Sequence, residues 1–204
     1  LGSHNDRLAL PGDVHLAGAG LILREWAEQD LPAMSELFDE PAVARWTPLR
    51  SPFDQSAARA YLDQARQRRA EGRRLQLAIT TDGGRPLGEI LLFVTGEPGE
   101  VELAYAVGAA HRGRGLAVRA VQLITAYAYD PLAGSRVLLR IAAGNTASAA
   151  VARSAGFRLT DAPALVREGS DPLHTWLHHR TTAPQETDAS VPEPLRPPPA
   201  PPRR

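Results

Sequence analysis

Residues 101–117 read Val-Glu-Leu-Ala-Tyr-Ala-Val-Gly-Ala-Ala-His-Arg-Gly-Arg-Gly-Leu-Ala, a strand-like run that empties into a Gly/Arg turn and opens a helix. That layout can bind phosphate. The backbone around Gly113 and Gly115, continuing into Leu116 and Ala117, can present several N–H groups to one anion, and the positive end of the helix dipole adds to the attraction. Arg112 and Arg114 can add charge-assisted hydrogen bonds. His111, beside the turn, is either a further phosphate contact or a loop-surface residue. The six residues from Arg112 to Ala117 are a loose pattern in a chain rich in Arg, Gly and Ala, so the elements around them must carry the argument.

Those elements alternate between strand and helix, which predicts an α/β (α+β) domain. Residues 21–26 read as a first strand. Residues 28–38 follow as a helix with Leu31, Met34, Leu37 and Phe38 on one face, ending near Pro41. A second helix over 54–72 turns Ala57, Ala58, Tyr61, Leu62 and Ala65 inward. Arg66, Arg68, Arg69, Arg73 and Arg74 then form its solvated side and end, where they favour the negative helix terminus. Residues 75–80 and 87–95 form an antiparallel hairpin about the turn residues Asp82-Gly83-Gly84-Arg85-Pro86. The next elements are a strand over 101–107, a helix over 115–129, a strand over 136–142, a helix over 146–155 and a closing pair over 157–159 and 173–179.

Composition removes several chemistries. The 204 residues contain no cysteine and no lysine, all 23 basic side chains being arginine. A P-loop lysine, a pyridoxal-phosphate Schiff base, a thiol nucleophile and a disulfide are therefore excluded. The 23 acids balance the 23 bases, which predicts no broad polyanion field and no nucleic-acid partner. His174 and His178 share a strand face but stand ~13 Å apart at ~3.3 Å per residue, too far to chelate one metal, and no metal is expected. The length suits one domain over 20–180. Residues 1–19 read as an expression remnant followed by an N-terminal arm. The proline-crowded segment 181–204 reads as a flexible, polyproline-like tail. No run is long enough for a membrane span, so a cytoplasmic protein is expected.

The order of elements, with Arg112, Gly115 and Ala117 in the turn, resembles the Gcn5-related N-acetyltransferase (GNAT) superfamily. Those three residues match its Arg/Gln, two residues, Gly, one residue, Gly/Ala signature. A second block, Asn145-Thr-Ala-Ser148 with Val151 and Gly156-Phe157, is similar to the Asn-x-x-Ser and Gly-Phe pattern of the branch that includes ribosomal-protein N-terminal acetyltransferases. A third, Asp39-Glu40-Pro41 with residues 43–48, resembles the segment between that branch's first two helices. The resemblance spans about residues 20–180 and implies one domain with a mixed, mostly antiparallel sheet, a splayed strand pair and flanking helices.

The same resemblance implies acetyl-CoA as co-substrate and direct attack of an amine on its thioester. The amides of Gly113 to Ala117 are expected to hold the pyrophosphate. Ala106, Val107 and Gly108 are expected to expose backbone groups to the pantetheine arm, with the Val107 N–H polarising the thioester carbonyl. Asn145 is expected to bond the arm or hold the splayed strand, and it equally suits a helix N-cap. Glu102 is the first candidate base, with Glu89 and Glu100 as rivals. Many superfamily members carry an acidic tyrosine seven residues after the Asn, where this chain has Ala152. Ser148 is the alternative, as a donor or water anchor for the departing sulfur. Trp46 is the acceptor-site candidate, and Trp26 and Trp176 are expected in the core or cleft wall. Glu89, Glu100, Glu102 and Glu168 near the cleft would suit a cationic acceptor. The expected reaction acetylates a protein or peptide N-terminus. Alternatives are a small-molecule amine such as an antibiotic or polyamine, a silent acyl-CoA-binding module, and a nucleotide-phosphate-binding protein of another fold. Either a monomer or a homodimer fits.

Overall fold

The computed structural model describes residues 9–166 and 171–180. One eight-stranded sheet runs β1 (His15–Gly18), β2 (Leu21–Glu25), β3 (Arg74–Thr80), β4 (Gly88–Val94), β5 (Glu100–Val107), β6 (Arg136–Ala142), β8 (Leu173–His178), β7 (Phe157–Leu159). Every neighbouring pair is antiparallel except β5 and β6. The five α-helices are α1 (Leu31–Phe38), α2 (Pro41–Trp46), α3 (Gln55–Ala70), α4 (Leu116–Tyr129) and α5 (Thr146–Ser154). Strand β1 and helix α2 are absent from the sequence-based reading. The first is a short edge strand with a half-exposed pattern, and the second is a six-residue helix begun by Pro41, too short to show a period.

Alternation along the strands sorts two cores onto the two faces of the sheet. Leu75, Leu77, Ile79, Ile90, Leu92, Val101 and Leu103 pack against Leu116, Ala120, Val121 and Ile124 of α4. On the other face Ala78 meets Met34, Leu37 and Phe38 of α1 and Ala57, Ala58 and Leu62 of α3. Phe38 is the centre of this second core. Its ring stands edge-on to Trp26, Phe53 and Tyr61 at centroid distances of 6.0, 5.5 and 6.0 Å, a favourable quadrupole arrangement. Trp26 and Trp176 are buried.

The helix starts differ in a way that matters for the site. Asp54 caps α3 by accepting from the Ala57 amide at 2.8 Å, and Asn145 caps α5 by accepting from the Ser148 amide at 3.1 Å. Helix α4 begins at Gly115 with no side-chain cap. Four of the five arginines assigned to a solvated helix side are ion-paired, Arg66 with Glu28, Arg68 and Arg73 with Glu71, and Arg69 with Glu25. Arg74 departs from that reading. It is the first residue of β3, on the face of Gln76 and Ala78, so strand alternation rather than helix charge decides where it points.

Phe38→Ala should lower stability by about 3–5 kcal/mol, because three aromatic neighbours lose their packing partner and the site is too crowded to collapse. Chemical denaturation measures the loss, and a change under about 1 kcal/mol would contradict the central place given to this ring.

Candidate active site

The parallel ladder between β5 and β6 runs from Glu100↔Arg136 to Leu103↔Leu139 and stops, although both strands continue. Beyond that point they part. The Gly108 amide donates to Leu87 O at 3.1 Å, which fixes the alternation along β5. Even-numbered residues there exchange backbone bonds with β4, and odd-numbered ones face β6. The backbones of Tyr105 and Val107 therefore face the opening with no strand to pair them. Ala106 directs its backbone groups at β4, and Gly108 gives its N–H to β4 and its carbonyl to the His111 amide at 2.8 Å, so of the three expected residues Val107 is the one whose backbone faces the opening. Gly108 also lies outside the cavity lining, whereas Ala106 and Val107 belong to it.

The opening widens into a cavity of about 1350 Å³. One end is the turn. Gly113 and Gly115 adopt φ of +73° and +69°, which a residue with a Cβ takes at a cost of ~1–2 kcal/mol. No backbone or side-chain acceptor among the described residues takes the amides of Gly113, Arg114, Gly115, Leu116, Ala117 or Val118. Six consecutive free donors at an uncapped helix start form a site for an anion, and they fit a pyrophosphate. Gly113, Gly115, Leu116 and Ala117 line the cavity and Arg114 does not. Arg112 lines it too, but as a brace: its Nε donates to Val107 O at 3.0 Å and its Nη2 to Glu40 at 2.5 Å. The guanidinium thus holds the end of β5 and the start of α2 together rather than standing free for phosphate.

The middle of the cavity gathers Asn145 and Ser148 from α5, Val107 from β5 and Trp46 from α2. Asn145 spends its Oδ1 on the helix cap, which leaves its amide group for a ligand. Ser148 gives its carbonyl to Tyr105 Oη at 3.1 Å. Burial pushes the Tyr105 phenol up to about 12, so it stays a neutral donor. Tyr105 was not among the expected site residues, although its place in the alternation Val101, Leu103, Tyr105, Val107 marks it. Trp46 is 37 % exposed, and a Cβ on Gly144 would stand 3.3 Å from its Cη2, so the indole reaches from α2 toward the loop before α5. Ala152 is fully buried in the first core.

The carboxylates at and near the cavity are unlike. Glu102 lines the cavity but accepts from Arg140 Nε at 3.0 Å, an ion pair that ties the parted strands. Glu100 is buried beside Arg136 at 3.4 Å and lies outside the lining. Glu168 falls outside the described residues. Glu89 is the distinctive one, 2 % exposed, with Oε2 accepting from Tyr61 Oη at 2.8 Å and Oε1 from Gln76 Nε2 at 2.6 Å. Burial raises its pKa from the ordinary 4.5 to about 7, against the opposing pull of those two hydrogen bonds and the nearby Arg74 charge. Because the folded chain holds that proton more tightly than the unfolded one, the associated stability is full at acid pH and is lost as pH rises from the ordinary range through about 7. Among the described residues the cavity lining carries more arginine than carboxylate. Arg50, Arg74, Arg112 and Arg140 line the cavity against Glu89 and Glu102.

With this geometry in place, the comparisons identify the family. The family model for the acetyltransferase (GNAT) domain matches residues 20–158, and the chain belongs to that family, making it an N-acetyltransferase that uses acetyl-CoA. No curated protein matches the sequence. The fold is similar to Mycobacterium smegmatis RimJ in complex with CoA-disulfide, with a TM-score of 0.71 at 19% identity over 85% of this chain and 89% of that one. It is similar to RimL, a ribosomal L7/L12 alpha-N-protein acetyltransferase in complex with coenzyme A, with a TM-score of 0.70 at 17% identity over 81% and 98%. The microcin C7 self-immunity acetyltransferase MccE, in complex with acetyl-CoA and AMP, gives 0.67 at 17% over 79% and 93%. No helix among the described residues is long and apolar enough to cross a membrane.

Gly115→Asp strains a left-handed position and puts a carboxylate among the free amides, so acetyl-CoA binding should vanish in calorimetric titration while the chain stays folded by circular dichroism. Affinity equal to the parent's would reject the turn as the anion site.

Proposed function

We propose that the chain acetylates the α-amino group of a protein or peptide N-terminus, with Glu89 as the base. The observation that carries this reading is the buried Glu89 carboxyl on the cavity wall, poised at about 7. At neutral pH about half of it is ionised, and a proton acceptor works best when its pKa lies near the working pH. An α-amine titrates near ~8 and a lysine amine near ~10.4, so delivering the lysine nitrogen neutral at pH 7 costs about 3.3 kcal/mol more. Among the described residues no other carboxylate stands free in the cavity to meet that cost, because Glu102 is held by Arg140.

Acetyl-CoA supplies the acetyl group as an activated thioester. Its pyrophosphate is assigned to the amides from Gly113 to Ala117, with Arg112 as the brace that holds the turn against β5. Its pantetheine arm is assigned to the outward backbone of Tyr105 and Val107 and to the Asn145 amide group. The Val107 N–H donates to the carbonyl oxygen, where the effect grows as negative charge develops. Glu89 takes the proton of the neutral amine as its nitrogen bonds to the carbonyl carbon, and the C–S bond breaks with its electron pair going to sulfur. Ser148 serves the sulfur, as donor or water anchor. Trp46 shapes the acceptor's approach. The role first expected of Glu102 passes to Glu89, and Glu102 becomes a strut.

The pH profile tests the base. With an acceptor peptide whose own titration is known, log kcat/KM should rise below pH ~7 with a slope near two, since both the amine and Glu89 must be deprotonated. Glu89→Gln should reduce that slope to one and lower kcat by roughly 10²–10⁴-fold. An unchanged slope and kcat in the variant would remove Glu89 from the chemistry.

A further inference from the structure

The base sits behind its cavity wall. Glu89 is 2 % exposed, and both of its oxygens already accept from protein, Oε1 from Gln76 and Oε2 from Tyr61. An amine must come within about 2.6–3.2 Å of a proton acceptor to give up its proton. So little of this carboxyl reaches the cavity that the proton needs an intermediary. The groups about the carboxyl are Tyr61 from α3, Gln76 and Arg74 from β3, and Trp26 just past β2. Gln76 and Trp26 are buried and lie outside the cavity lining. Arg74 has its Nε and Nη2 enclosed, and a guanidinium offers a proton no acceptor. Tyr61 differs from all three, being partly exposed, part of the lining and bonded to Oε2 at 2.8 Å.

Its place and its chemistry suit the passage of a proton. The cross-strand partners of Glu89 are Ala78 and Ala106, small side chains that leave the approach to this part of the sheet uncrowded. Ala106 precedes Val107, whose N–H is assigned to the thioester carbonyl, so the carbon under attack belongs beside the stretch of β5 that faces Glu89. The Tyr61 ring stands edge-on to Phe38 and Phe53 at centroid distances of 6.0 and 5.8 Å, which fixes where its hydroxyl can reach. A hydroxyl has one proton to donate and two lone pairs to accept with. With the proton given to Glu89, the lone pairs remain for an N–H. Burial and the neighbouring carboxylate push the phenol well above its ordinary range, so it passes a proton on as a neutral group.

We propose that Tyr61 is a catalytic residue that relays the proton of the attacking amine to Glu89. The proposal rests on the reading of Glu89 as the base and deepens it. As the nitrogen bonds to the carbonyl carbon and the C–S electron pair goes to sulfur, the N–H proton passes to Tyr61 Oη while the phenol's own proton passes to Glu89 Oε2. The phenol is neutral before and after, and the carboxylate ends as the acid.

Short peptides with free α-amines, spermidine and an aminoglycoside, read by release of the CoA thiol, supply the acceptor for the test. At saturating acetyl-CoA and acceptor, kcat is then followed against pH for the parent, Tyr61→Phe, Glu89→Gln, the double variant and Gln76→Leu, with acetyl-CoA affinity measured by calorimetry. Tyr61→Phe keeps the ring and should lower kcat by about 10²-fold at every pH, the plateau above the acid limb included, with acetyl-CoA affinity unchanged. The double variant should be no slower than Glu89→Gln, because the two groups act in one path. Gln76→Leu removes the other hydrogen bond to the carboxylate, so it should move the acid limb to higher pH and cost far less of the plateau than Tyr61→Phe does. In the parent itself, kcat against the deuterium fraction of the water should curve, as two protons in flight require. A straight line there, a Tyr61→Phe kcat that recovers at high pH or equals the parent's, or a double variant slowed by the product of the single losses would overturn the relay and leave Glu89 as the base wherever Glu89→Gln still loses its rate. Parental kcat in Glu89→Gln, or acetyl transfer to none of these amines, would remove both.

Discussion

Strand β5 reaches the centre of the sheet and runs out of partners on one side. Past Leu103 its outward N–H and C=O groups face a gap, because the ladder to β6 ends at Leu139 while β6 keeps its pairing with β8 from Val137 through Ala142. Backbone polar groups in such a place need an acceptor or donor from somewhere. The chain supplies one contact, Arg112 Nε to Val107 O, and leaves the rest to a ligand with a peptide-like arm. The parting of two strands therefore makes the cavity, exposes the Val107 N–H proposed as the thioester's donor and directs α4, which leaves the end of β5 through the turn, with its free amides toward the same opening.

Holding two strands apart requires struts, and the polar residues of the cleft supply them. Glu102 and Arg140 link β5 to β6 across the gap. Tyr105 reaches the carbonyl of Ser148 in α5, and Arg112 ties the turn to Glu40 ahead of α2. These contacts use the charges that a reading of isolated residues offers to ligand or proton. What stays open is less conspicuous, the six backbone amides from Gly113 to Val118.

The elements of the fold were legible because hydrophobic alternation and turn residues mark them strongly. Strand β6 at Arg136–Ala142 and strand β7 at Phe157–Leu159 have their expected bounds, the helix expected over 28–38 opens with a 3-10 turn at Glu28–Asp30 before becoming α-helical at Leu31, and the other long elements differ by a residue or two at their ends. The anion turn was legible as well, since Gly113 and Gly115 at positive φ are what such a turn demands. Partners were not. That Glu102 is committed to Arg140 depends on a parallel register between strands separated by a helix, and that Glu89 is enclosed by Tyr61 and Gln76 depends on α3 lying over that face. Arg74 was misread because a cluster of arginines follows α3, and charge pattern favoured a helix end where the alternation of Arg74, Gln76 and Ala78 already placed it on a strand face.

The position of Ala152 tests whether this division of labour is consistent. A small, fully buried residue stands where many relatives place an acidic tyrosine, and it packs the first core instead of serving the leaving group. The energetics allow this. A thiol has a pKa near ~8.5, so at neutral pH a departing thiolate takes its proton from water or a neighbouring hydroxyl at small cost. The amine side is more demanding, because its nitrogen must lose a proton as the new bond forms, and a solvent proton acceptor near neutrality is weak. Proton transfer is needed most where the structure has a buried carboxyl raised to about 7 and least where it has alanine. In the proposed reaction the rate therefore depends on Glu89, Ser148 serves only the fine placement of the sulfur, and the preference proposed for an amine that is easily neutral follows from the same asymmetry.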